Sequence, residues 1–61
     1  MNNIEVRDAT GWLLGVVWGP LDWKEQGKQW AATRYDKGMT SAEFKPDIAS
    51  KADAKRWVES A

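Results

Sequence analysis

The chain has 61 residues, with nine basic and nine acidic side chains, and it contains neither cysteine nor histidine. A chain this short forms one small domain, whose core supplies only ~3–5 kcal/mol of net stability. This composition excludes disulfides and thiolate or imidazole metal sites. The zero net charge argues against a dedicated nucleic-acid binder, which usually carries a basic excess.

Neither a membrane segment nor a secretory signal is predicted. The longest apolar run, from Trp12 to Trp18, is far too short to span a bilayer. The N-terminus has no basic segment followed by an apolar stretch, as a secretory signal would. We therefore expect a cytoplasmic protein.

Alternation of apolar and polar residues, interrupted by turn residues, predicts an antiparallel sheet. Ile4 and Val6 alternate with charged residues, and the segment from Gly11 to Gly19 is apolar on both of its faces. A polar loop opens with Pro20, and Asp36 begins a hairpin turn. The predicted elements are strands at about 3–8, 11–19, 28–36 and 40–45, with a loop at 20–27.

A helix is predicted over about 51–60, at the end of the chain. Ser50 can cap its first N–H groups, and Asp53 lies in the first turn, near the positive end of the helix dipole. Ala54, Trp57 and Val58 share one apolar stripe at helical spacing. Strands followed by one helix predict an α+β fold, a small three- to four-stranded antiparallel sheet packed against one C-terminal helix.

The helix can cover only one face of this sheet. We expect Trp12, Leu14, Val16 and Trp18 to form the core face, packed against the helix residues Trp57 and Val58. The opposite face then carries Leu13, Val17 and Tyr35. Either this second face is an exposed contact surface, or the N-terminal strand or the 20–27 loop folds over it.

Trp23 lies in the middle of the polar loop, an unexpected place for a large apolar ring. A tryptophan in a loop is typical of an interface anchor. It can equally serve as a lid on the edge of a core that is too small to close by itself.

The order of certain residues resembles a known family. These residues are, in order, Gly15, Val16, Pro20, Gly27, Lys28, Trp30, Ala31, Ala32, Arg34, Asp36, Phe44, Ala52, Ala54 and Trp57. Over about residues 12–59, the order resembles the AP2-type DNA-binding domain and the related arm-binding domains at the N-terminus of phage and transposon tyrosine integrases. The resemblance implies a three-stranded antiparallel sheet backed by one C-terminal helix, which binds DNA through outward arginine and tryptophan side chains.

The chain departs from this pattern at the positions that would contact DNA. The family presents arginines on its first strand where this sequence has Val17 and Gly19, which can neither neutralise a phosphate nor recognise guanine. On the next strand, Arg34 belongs to the face expected to meet the helix. The residues that remain available for DNA are Lys28, Thr33, Arg34, Tyr35 and Lys37.

Catalysis is not predicted. Asp22 and Glu25 share a loop, and Glu43 and Asp47 flank Phe44, but neither pair has neighbours typical of a metal cage or an acid–base couple. We interpret these carboxylates as solvated surface groups. The sequence predicts no catalytic residue, no metal, no cofactor and no small-molecule substrate.

Two functions follow from the sequence. The first is a small protein-binding module, of the stand-alone accessory type found in phages and other mobile elements. It would bind another protein or a second copy of itself through Leu13, Val17, Trp23 and Tyr35. The alternative is sequence-specific DNA binding of the AP2 or integrase-arm type. The apolar second face and the balanced charge favour the first.

Overall fold

The computed structural model describes residues 2–36 and 41–60, and it confirms the predicted α+β class. The strands are β1 (Asn2–Arg7), β2 (Leu13–Gly19), β3 (Trp30–Tyr35) and β4 (Ala42–Ile48), and the helix α1 spans Lys51–Glu59. They form one antiparallel sheet in the order β1-β2-β3-β4. The described parts of the chain include no helix that is both long enough and apolar enough to cross a bilayer.

The largest difference from the predicted strand boundaries is in β4, which ends three residues later than expected. Pro46 and Asp47 together face the single residue Ala31, because Lys45 pairs with Ala32 and Ile48 pairs with Trp30. Asp47 has a φ of 61°, so the backbone bends there and pairing resumes beyond the proline. Residues 37–40, which include the first residue of the predicted fourth strand, lie outside the described part.

The loop between β2 and β3 is longer at its C-terminal end than the predicted 20–27. β3 begins at Trp30, so Lys28 and Gln29 belong to the loop. The N–H of Leu21 donates a hydrogen bond of 2.8 Å across this loop to the carbonyl oxygen of Gln29. At the other hairpin, Gly11 and Trp12 lie outside β2, in the turn that follows β1.

The core lies between α1 and one face of the sheet. Its buried members come from the helix and from all four strands: Val6, Val17, Ala32, Ile48, Ala54 and Val58. The helix packs mainly across β2 and β3. It begins where predicted, because the Ser50 side chain accepts a hydrogen bond of 3.1 Å from the N–H of Asp53.

Two glycines let the helix and a tryptophan approach β2 closely. A Cβ atom on Gly15 would lie 2.8 Å from Cγ1 of Val58 and would also collide with the carbonyl oxygen of Thr33. A Cβ atom on Gly19 would lie 2.6 Å from the indole ring of Trp30. The φ of Gly19 is +153°, which also favours glycine. Val58 and Trp30 therefore pack directly against the backbone of β2.

The prediction that Trp12, Leu14, Val16 and Trp18 form the core face is wrong for Trp12, Val16 and Trp18, and only Leu14 packs against the core. Val17 faces the helix and is only 1% exposed, so its neighbours Val16 and Trp18 point to the other side of the sheet. Trp12 is 49% exposed. The helix approaches the sheet closely, so the residues beneath it must be small. The predicted core face instead included the large rings of Trp12 and Trp18.

A bulge in β2 explains the position of Leu14. Arg7 pairs with Leu13 whereas Val6 pairs with Gly15, so Leu14 is an extra residue. An extra residue changes the phase of side-chain alternation along the strand. Leu14 consequently packs against the core, unlike Val16 and Trp18.

Candidate interaction surface

The side of the sheet away from α1 is here named the open face. Residue pairs across neighbouring strands define it, because side chains directly opposite each other share a face. Val16 pairs with Thr33, which pairs with Phe44; Trp18 pairs with Ala31; and Tyr35 pairs with Ala42. These side chains are predominantly apolar. β1 adds Asn3, Glu5 and Arg7, which alternate with the helix-facing Ile4 and Val6.

Aromatic side chains concentrate at one end of the open face. The rings of Trp18 and Phe44 meet with their centroids 5.9 Å apart and their planes inclined at 51°. They lie across β3, above Ala31, which is buried. The loop after β2 adds Leu21 and Trp23. Together they form the aromatic hollow, lined by Trp18, Leu21, Trp23, Lys24, Ala31, Phe44 and Pro46.

Two rings of the aromatic hollow are open to solvent. Trp23 is 76% exposed and Phe44 is 62% exposed. Leaving so much aromatic surface in water forgoes the stabilisation that its burial would give. These two rings are therefore the strongest candidates for contact with another molecule.

A salt bridge positions the loop that carries Trp23. The Nζ of Lys24 lies 2.7 Å from a carboxylate oxygen of Asp47 in β4 and 5.2 Å from the centroid of the Trp23 ring. The hydrogen bond from Lys24 lowers the pKa of the Asp47 carboxyl below its ordinary value. The loop is thus connected to the strand on the far side of the hollow.

The structure shows how far the two segments predicted to fold over the open face, the N-terminal strand and the 20–27 loop, cover it. The N-terminal strand does not fold over it, because β1 lies beside β2 at the edge of the sheet. The loop covers one corner, where Leu21 is buried in the lining of the aromatic hollow. The remaining open-face residues of β3 and β4 stay partly or fully exposed.

The four residues predicted to bind a partner occupy different environments. Trp23 and Tyr35 lie at opposite ends of the open face, and Tyr35 is half-buried. Leu13 is half-buried opposite Arg7, at the bulged end of β2. Val17 is in the core, so its predicted position on the outer face is wrong. Trp18 and Phe44 were not predicted to belong to the surface, because the burial of Val17 and the register of β4 against β3 are not visible in the sequence.

The residues named for DNA binding do not form one cluster. Thr33 lies on the open face, whereas Lys28 lies in the loop, with its Nζ 3.0 Å from a carboxylate oxygen of Glu25. Lys37 lies outside the described residues. Arg34 is on the helix side, as its place in the strand predicted.

Arg34 is held by several groups on that side. Its Nε and Nη2 donate to the two carboxylate oxygens of Glu43, both at 3.2 Å, and Nη1 donates to the carbonyl oxygen of Trp57 at 3.0 Å. The guanidinium carbon lies 4.4 Å from the centroid of the Trp57 ring. Its side chain is only 19% exposed. This arrangement joins two strands to the last turn of the helix.

A second hollow lies near the turn between β1 and β2, lined by Asp8, Thr10, Trp12, Leu14, Tyr35 and Asp36. Asp8 organises the turn, because one of its carboxylate oxygens accepts hydrogen bonds from the N–H and hydroxyl of Thr10 and from the N–H of Trp12. These hydrogen bonds, that of the Thr10 hydroxyl first, lower the pKa of the Asp8 carboxyl. The Asp8 carboxylate is therefore engaged in hydrogen bonds within its own turn.

No described residues form a group of three or more acidic side chains suited to a metal ion. The absence of catalytic function stays a prediction. No protein-family model matches the chain, and the searches of curated proteins and of solved structures find no match either.

Proposed function

We propose that this chain is a non-enzymatic protein-binding module of the cytoplasm, and that the open face is its contact surface. The supporting observation is the exposure of Trp23 and Phe44 beside Trp18, on a face that the helix does not cover. The predicted surface is revised accordingly: Trp18 and Phe44 replace Val17, while Leu13, Trp23 and Tyr35 remain.

The chemistry of the surface supports a protein partner. Tryptophan and tyrosine are enriched among the few residues that dominate binding energy at interfaces. The aromatic hollow combines such rings with buried Leu21 and Ala31, which give it a firm apolar floor. Exposed apolar patches of this kind commonly mark interaction sites.

DNA binding through the sheet remains the alternative proposal. It would use the same face, as the resemblance to AP2-type domains implies. The described cations near that face lie within salt-bridge distance of acidic side chains: Arg7 of Glu5, Lys24 of Asp47 and Lys28 of Glu25. Phosphate binding would have to compete with these carboxylates. The arrangement supports the protein-binding proposal more strongly.

Selection from a displayed random-peptide library tests the proposal and does not require the natural partner to be identified. The bait is the wild-type chain, and the comparison is the double variant Trp23→Ala/Phe44→Ala. Selected peptides should bind the double variant at least about tenfold more weakly, as expected when aromatic anchors worth ~2 kcal/mol are removed. Trp12→Ala is the matched control, because it removes an exposed tryptophan outside the aromatic hollow.

Two further measurements complete the test. Light scattering of the wild type and the double variant detects self-association through the open face. Titration with duplex DNA at increasing salt detects counterion release. Binding to DNA that weakens steeply with salt would favour the alternative. If neither peptide selection nor self-association depends on Trp23 and Phe44, the protein-binding proposal is wrong.

A further inference from the structure

The size of the apolar surface limits what can bind it. Among the described strands, only β2, β3 and β4 present apolar side chains on the open face, because β1 presents Asn3, Glu5 and Arg7 there. Three strands, each contributing about five residues, cover roughly 15 by 17 Å, or ~250 Å². A standard-size interface between folded proteins buries about 800 Å² of accessible surface on each partner, a little over half of it apolar. The surface therefore fits a short segment of chain better than a second copy or another folded domain.

The charge of the aromatic hollow limits the chemistry of that segment. Among the described residues, Lys24 is the only charged one in its lining, and its Nζ lies 2.7 Å from Asp47. An acidic ligand would have to separate this pair, and a basic ligand would find no carboxylate in the described lining. The hollow is thus suited to an uncharged apolar segment, and a phosphate backbone is disfavoured.

Conformational entropy selects among apolar segments. A small contact area offsets little of the entropy that a flexible peptide loses on binding. A proline-rich segment already populates the extended polyproline II conformation, so it loses less. Aromatic-lined grooves bind such segments in several known classes of module. At about 3.1 Å per residue, five or six residues would cross the apolar surface.

From these three limits we infer that the aromatic hollow binds a short, uncharged, proline-rich segment in the polyproline II conformation. The inference rests on the proposed function and names the partner chemistry of the same surface. Proline rings would pack between the exposed rings of Trp23 and Phe44, above Trp18. The indole N–H of Trp23, a residue that is 76% exposed, would donate to a carbonyl of the segment, because polyproline II leaves its carbonyls without internal partners.

Titration with two matched peptides tests the inference. The first is an uncharged, capped ten-residue peptide rich in proline, and the second has every proline replaced by alanine. Binding is followed by the NMR signals of the tryptophan indole N–H groups. The proline-rich peptide should saturate the Trp18 and Trp23 signals and bind at least about tenfold more tightly than the alanine peptide, because a preorganised segment loses less entropy on binding. Trp23→Ala and Phe44→Ala should each weaken it at least fivefold, and Trp12→Ala should leave it unchanged.

The outcomes separate this inference from the proposed function. If the alanine peptide or other library-selected peptides bind the hollow as tightly as the proline-rich peptide, the inference is overturned and the proposed function stands. If the chain instead self-associates through Trp23 and Phe44, the inference is likewise overturned. If no peptide and no second copy depends on these two rings, both are overturned. Comparison of the amide spectra of all variants with the wild type shows that each variant is folded.

Discussion

Arg34 illustrates how one side chain can be assigned to structure or to function only from its surroundings. The sequence allows it to bind DNA, but its guanidinium group is occupied by Glu43, the Trp57 carbonyl and the face of the Trp57 ring. The planar, forked geometry of arginine serves all of these contacts together. The residue therefore stabilises the junction between the sheet and the end of α1.

Replacing Arg34 by lysine should destabilise the fold more than removing its acidic partner does. Lysine keeps the charge but cannot make the paired hydrogen bonds or stack on Trp57, and we expect a loss of about 1–2 kcal/mol. Glu43→Gln should cost less than about 1 kcal/mol, because Glu43 is 68% exposed and solvent screens the ion pair. Urea unfolding of both variants measures the two losses. Equal losses would mean that the salt bridge, not the contact with the helix, is what matters.

At the scale of elements, the hairpin between β1 and β2 depends on a local hydrogen-bond network. Asp8 accepts from Thr10 and Trp12, and the N–H of Asp8 donates to the carbonyl oxygen of Trp12 at 3.0 Å. A side-chain oxygen that accepts from nearby N–H groups fixes a turn of this kind. The hairpin therefore brings β1 to the edge of the sheet, where it leaves the open face uncovered.

The stabilising effect of the Asp8 charge should disappear in acid. The folded state lowers the pKa of Asp8, so the ionised form favours folding above the ordinary pKa of about 4. As the pH falls from about 4 through the lower folded pKa, this contribution is lost. Thermal unfolding should show a higher Tm for wild type than for Asp8→Asn at pH 7, with the difference closing as the pH falls below the ordinary pKa of the carboxyl. A difference that does not change with pH would show that the charge plays no part.

At the scale of the whole molecule, the two faces of the sheet carry different tasks. One face has small residues beneath the helix and holds the core, and the other carries large rings that remain in solvent. In a chain of 61 residues with a small core, the stability depends on few side chains. Substitutions on the two faces should therefore differ sharply in their cost.

Val17→Ala should cost about 2–3 kcal/mol, because a fully buried side chain loses two methyl groups and leaves a cavity. Phe44→Ala should cost less than about 1 kcal/mol, because a ring that is 62% exposed gives little on folding. Chemical denaturation of the two variants makes the comparison. A larger loss for Phe44→Ala would place the core on the other face and contradict the described packing.

The sequence was sufficient for the class of the fold, the helix cap at Ser50 and the buried helix positions Ala54 and Val58. These features depend on residues that are close together along the chain, so the sequence displays them directly. The faces of β2 could not be assigned, because every residue from Leu13 to Val17 except Gly15 is a large aliphatic one. The side of β2 that meets the helix is the one on which Gly15 leaves space for Val58. A bulge at Leu14 also changes the alternation of side chains along the strand.

The interaction surface was predicted only in part, because it too depends on contacts that the sequence does not display. Trp23 was identified because a ring in a polar loop is conspicuous in the sequence. The rings of Trp18 and Phe44 meet across β3, although the two residues are 26 positions apart along the chain. Such a contact depends on the register of three strands, and a bulge opposite Ala31 sets part of that register.

The irregular end of β4 also has a consequence for aggregation. Pro46 has no N–H to donate, and Asp47 bends the backbone at a positive φ, so this outer strand is a poor template for a further strand. β1, at the opposite edge, has six regular residues without proline or glycine. Fibril growth requires a receptive edge on both sides of every added molecule. Only the four residues of β4 before Pro46 are paired in regular register, so the kink shortens the stretch of this edge on which a further copy could add a strand.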